Sequence, residues 1–122
     1  MFSRFYLKFF RVLYLLAVIT IFILAIVPNY DLLPEVFSLS DKLNHTAAFF
    51  LLAGLAYAAR FTHAYHYQIV FLIGYAFFIE IVQYFLPTRL FSLSDVVADA
   101  AGIGLFLLLN RWSGFRKERA HV

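Results

Sequence analysis

The sequence predicts an all-α integral membrane protein, a four-helix transmembrane bundle. Three observations carry that expectation. The chain is 64% hydrophobic and 14% charged over 122 residues, it contains four long apolar runs, and its basic residues gather beside those runs. Such a composition lies far from that of a soluble domain, and the length allows one domain, taken as residues 1–122. In lipid the backbone must satisfy its own hydrogen bonds, so an apolar run of about 20 residues is read as a helix.

The first helix is expected over about 12–27, after Arg4, Lys8 and Arg11 and before Pro28-Asn29. Its basic flank has the look of a signal peptide. Ile26-Val27-Pro28, however, offers bulky residues and a proline where cleavage needs small side chains, so the helix is read as retained. The second run covers about 42–61, the third about 68–85 and the fourth about 93–110, with a polar tail at 111–122. Eight of the ten Lys and Arg fall at the amino end, at Arg60 and in the tail, against Lys42 and Arg89 in the other two connections. Basic residues concentrate on the cytoplasmic side. Both termini are therefore expected in the cytoplasm, in a multi-pass protein of the cytoplasmic (inner) membrane, with Pro28 to Asp41 and Pro87 to Ser92 on the outer side. The formal charge of +3 sits in these flanks, which gives no support to nucleic acid as a partner. With no Cys, disulfides, thiolate metal sites and a Cys nucleophile are excluded.

Phe37-Ser38-Leu39-Ser40-Asp41 returns as Phe91-Ser92-Leu93-Ser94-Asp95, each copy ahead of a helix that runs in the same direction. One explanation is a parallel repeat of two helical hairpins. The favoured one is capping: Ser38 with Asp41, and Ser92 with Asp95, fit Ser-x-x-acid, in which the hydroxyl accepts an orphan N–H and the acid meets the positive end of the helix.

Acidic residues inside hydrocarbon cost at least about 2.5–3.5 kcal/mol and persist when paired or functional. Glu80 and Gln83 stand at i, i+3, Asp95 and Asp99 at i, i+4, and Asp41 and His45 at i, i+4, so each pair shares one helix face. In the expected topology all three pairs lie at one depth, on the outer side, where they can converge. Arg89 is near enough in sequence to pair with Asp95 or Glu80 and carries a planar fork suited to carboxylate or phosphate. The first helix, with no embedded charge, is assigned to packing or anchoring. Ala47, Ala48, Ala53, Gly54 and Ala56 in the second helix, and Ala98, Ala100, Ala101, Gly102 and Gly104 in the fourth, let backbones approach closely. His63 and His66 among Tyr65 and Tyr67 read as an interfacial belt. A purely structural hydrogen-bond network is the competing account of the polar cluster.

Asp41-Lys42-x-x-His45, Glu80-x-x-Gln83, Arg89-x-x-Ser92-x-x-Asp95 and Asp99-x-x-Gly102, taken in that order, resemble the VanZ-like family of small bacterial membrane proteins, over about residues 31–110. Asp99 stands where that family often carries Asn. The resemblance implies a multi-helix membrane protein of the cell envelope, in a family whose founding member is linked to low-level resistance to the glycopeptide teicoplanin. It carries no settled activity.

Two functions are expected from these residues. In the first, Asp41, Lys42, His45, Glu80, Gln83, Arg89, Ser92, Asp95 and Asp99 form a pocket for the polar headgroup of a lipid-linked cell-wall intermediate, with Arg89 and Lys42 toward its anionic group. In the second, which ranks lower, His45 with one or more of Glu80, Asp95 and Asp99 binds a divalent metal, with His45, Glu80 and Asp99 the first choice of ligands, or shares acid and base duties in an enzyme working on such a lipid. No catalytic residue is assigned and no cofactor is named. A proton-coupled carrier ranks third. It would need a homo-oligomer, and apart from Asn110 no polar residue is expected to continue a route through the inner half of helices two to four.

Overall fold

The structure, a computed structural model, describes residues 4–26, 34–61, 64–86 and 93–120, with the side chains of 34–41 and 114–120 outside that description. The described residues form four helices: α1 (Arg4–Ile26), α2 (Pro34–Ala59), α3 (Tyr65–Tyr84) and α4 (Leu93–Ala120).

The helices outrun the apolar runs at the starts of α1, α2 and α3 and at the end of α4, and the first two extensions have a local cause. α1 starts at Arg4, because Phe, Tyr, Leu and Lys in 5–10 continue a helix without a breaker. α2 starts at Pro34, where the ring's fixed φ suits the first helical position and its missing N–H costs nothing. Ser38 and Asp41 therefore lie inside α2 and do not cap it, contrary to the sequence expectation. α4 starts at Leu93 with Asp95 in its first turn, so Leu93-Ser94-Asp95 open a helix whereas Leu39-Ser40-Asp41 lie inside one. At its other end α4 continues through the polar tail to Ala120.

α2 packs most extensively on α4, and α1 lies against α2 and α3. Among the described residues α1 and α4 do not meet, so they flank the α2–α3 pair on opposite sides. Phe49, Leu52, Ala53, Ala56, Leu72, Ala76, Ile79 and Ile103 form the core. Leu16, Phe71, Phe78, Ile81 and Leu108 face outward, while Gln68, Glu80, Gln83, Asp95 and Asp99 are buried. Large apolar groups outside and acids inside invert the soluble pattern and match a bundle whose solvent is lipid.

Among the described residues three helices, Arg4–Ile26, Tyr65–Tyr84 and Leu93–Ser113, are long and apolar enough to cross a membrane. α2 is missing from that set because Glu35, Asp41, Lys42, Asn44 and His45 crowd its first half.

The tightest approach is between α2 and α4. A Cβ on Gly102 would overlap the Thr46 carbonyl oxygen and lie 2.9 Å from the Phe50 nitrogen, whereas one on Gly104 would meet nothing within 4 Å. The two glycines, alike in the sequence, thus differ: only Gly102 allows backbone contact. Thr46 Oγ1 donates to Ala98 O at 3.0 Å across the same seam.

Candidate functional site

The seam at Gly102 brings together the first halves of α2 and α4, and the helical period turns Lys42, His45 and Thr46 toward Asp95, Ala98 and Asp99. Lys42 Nζ pairs with Asp95 Oδ1. His45 lies between two carboxylates: its Nδ1 is 2.7 Å from Asp99 Oδ1 and its Nε2 is 3.6 Å from Asp95 Oδ2. Asp99 is fully buried and Asp95 nearly so, while a third of the Lys42 side chain stays exposed. The lysine is the wet rim of the cluster and Asp99 its dry floor.

α3 completes the cluster from the other side. Glu80 is fully buried, and His45, Glu80 and Asp95 each offer a metal-binding atom, all within 4.8 Å of one another. Asp95 and Asp99 are both candidate ligands in the sequence, with Asp99 preferred. In the structure Asp99 takes the opposite ring nitrogen of His45, which leaves Nε2 facing Asp95.

Gln83 uses its amide differently. Nε2 donates to Ala25 O at 2.8 Å, satisfying one of the orphan carbonyls in the last turn of α1. Beside this tie a cavity of about 300 Å³ opens between α1, α2 and α3. Ile21, Leu24, Ala48, Phe49 and Ile79 supply apolar wall, and Asn44, His45 and Gln83 supply polar groups. Asn44 went unnoticed in the sequence, although an amide next to His45 inside an expected span is a readable signal.

Arg89 and Ser92 lie outside the described residues, as do the Asp41 side chain and His63. His66 is exposed and packs on Tyr67, their rings 4.3 Å apart.

The opposite end of the bundle is less apolar than expected. Tyr14 Oη donates to Gln68 Oε1 at 3.2 Å in a buried pair, Tyr65 Oη donates to Ala53 O at 2.6 Å, and Tyr75 Oη to Val18 O at 2.5 Å. Arg11 donates through Nε to Ala59 O at 2.8 Å and through Nη2 to Arg60 O at 2.9 Å, with its guanidinium 5.0 Å from the centre of the Phe61 ring. It closes the carbonyl end of α2, where Arg60 takes a left-handed φ of 50°. α1 is thus fastened to both neighbours by polar contacts as well as by packing.

The family model described as VanZ/LLP1 matches residues 5–113. No curated protein and no solved structure matches the chain.

Proposed function

The chain belongs to the VanZ/LLP1 family, and on that premise we propose that it is a multi-pass protein of the cytoplasmic membrane that binds the polar headgroup of a cell-envelope lipid. All four helices cross, α2 with His45 and Thr46 turned toward α4, and the end holding His45 faces away from the cytoplasm. The distribution of Lys and Arg supports that orientation.

The observation that carries the reading is the cavity of about 300 Å³. Its lining has two characters. Apolar residues of α1, α2 and α3 suit the start of an acyl or prenyl chain, and the Asn44 and Gln83 amides suit hydroxyl, amide or phosphate groups. A lipid-linked cell-wall intermediate presents both. Arg89, four residues before Leu93, is assigned to the anionic part of the same headgroup. By holding such lipids the protein modulates the envelope and its susceptibility to glycopeptides.

Native mass spectrometry of the gently purified protein tests this. Wild type should retain a lipid, Ala48→Phe should lose it by filling the cavity, and Asn44→Leu should weaken it. Identical lipid content in all three removes the reading. Sidedness is read separately with an impermeant thiol reagent: Arg89→Cys should label from outside and Arg60→Cys should not.

A further inference from the structure

We propose that His45, Glu80 and Asp95 bind a divalent transition-metal ion of the zinc type, with Asp99 holding the histidine in place. The donor set comes from three helices and mixes one imidazole with two carboxylates. Their candidate ligand atoms lie within 4.8 Å of one another. Around a tetrahedral ion, bonds of about 2.0–2.2 Å place neighbouring ligand atoms about 3.4 Å apart. The 3.6 Å between His45 Nε2 and Asp95 Oδ2 is already close to that spacing.

The second observation is independent of donor proximity. A histidine that binds metal through one ring nitrogen commonly gives the other ring N–H to a carboxylate, which fixes ring orientation and tautomer. Here Nδ1 is 2.7 Å from the fully buried Asp99 Oδ1. With the proton on Nδ1, the Nε2 lone pair is directed at the Asp95 side, where the other donors stand. Asp99 is therefore a positioning residue and not a ligand.

Burial and charge favour occupation. Glu80 and Asp99 are fully buried and Asp95 nearly so, and among the described residues they share this end with Lys42. An ion between Glu80 and Asp95 relieves the repulsion of two crowded carboxylates in a medium that screens weakly. Lys42 holds the outer oxygen of Asp95 and leaves Oδ2 for the metal. Imidazole with carboxylates suits zinc and its neighbours better than calcium or magnesium, which prefer all-oxygen shells.

The site does not depend on lipid binding, and the two proposals fail separately. The experiment is titration of chelator-stripped protein with Zn2+, read by native mass spectrometry, together with the visible spectrum of wild type after Co2+ addition. Wild type should take up one Zn2+ and give the visible absorption of low-coordinate Co2+. His45→Ala and Glu80→Gln should lose the ion, and Asp99→Asn should keep it with about 10–100-fold weaker affinity. Ala48→Phe should bind Zn2+ as wild type does, even where it has lost lipid. A wild type that binds no Zn2+ and gives no Co2+ bands overturns the proposal, as does uptake that is unchanged in well-folded His45→Ala and Glu80→Gln. Full-strength binding in Asp99→Asn overturns the role of Asp99.

Discussion

α4 and α1 are both held against α2, yet by different chemistry. α4 comes in at backbone contact, with Gly102 against Thr46 and Phe50, and the approach sets Lys42 and His45 on Asp95 and Asp99. α1 has a single buried side chain, Tyr14, and is tied to α2 by Arg11 donating to Ala59 O and to α3 by Tyr75 donating to Val18 O and Gln83 to Ala25 O. In lipid there is no hydrophobic drive to press helices together, so close packing and interhelical hydrogen bonds must do it. The difference teaches that the α2–α4 seam is limited by volume, and the α1 junction by individual bonds. Added bulk should break the first at once. The second should weaken stepwise.

The largest effect is therefore expected at Gly102. Gly102→Val would drive a side chain into main-chain atoms that cannot rotate away, and overpacking of this kind costs about 3 kcal/mol or more when backbone must shift. Gly104→Val, two residues on, meets nothing within 4 Å and should change stability by less than about 0.5 kcal/mol. Thermal unfolding in mild detergent measures both. Similar losses from the two substitutions would show that helix propensity, and not close approach, governs the seam.

An intermediate effect is expected at the carbonyl end of α2. Arg11→Met keeps the apolar stem of the side chain and removes the donors to Ala59 O and Arg60 O. Water reaches exposed Arg60, which limits the loss to about 1 kcal/mol. Faster hydrogen exchange in the last turn of α2, with the first turns of α4 unchanged, is the signature to look for. A loss spread evenly over the bundle would contradict the capping role.

These two junctions were not equally legible in the sequence. The i, i+4 spacing of Asp95 and Asp99 places both on one face of α4, and the apolar runs already imply the helix directions that set His45, Glu80 and Asp95 at one depth. Gly102 and Gly104 could not be told apart, because a one-dimensional pattern of small residues does not say which of them meets the neighbouring backbone. The α1 junction left almost no trace. Most of its acceptors are main-chain carbonyls, which every residue carries, and its donors read as something else: Arg11 as a flank charge, Tyr75 as one more aromatic, Gln83 as a member of the polar cluster. The start of α2 was misplaced for a related reason. The apolar pattern begins at 42 but the helix begins at Pro34, since polar residues in a first turn join a helix that apolarity alone does not mark.

The smallest and most discriminating change is Tyr75→Phe. The ring stays, so its packing against Phe49, with centroids 6.1 Å apart, is preserved, and only the bond from Oη to Val18 O at 2.5 Å is lost. Val18 lies inside α1, four residues before Phe22, so its carbonyl keeps its own intrahelical partner and is not orphaned. The cost should accordingly be near the average for such bonds between membrane helices, about 0.6 kcal/mol. Gln83→Leu supplies the contrast, because Ala25 O lies in the last turn of α1, where no further turn provides a donor. Its loss should exceed that of Tyr75→Phe, and the two should add in the double variant if the ties act singly, since they hold α1 about seven residues apart with separate partners. A double variant that loses much more than the sum would mean that α1 docks as one cooperative unit, and that the bonds at its junction are no more separable than the contacts of the α2–α4 seam.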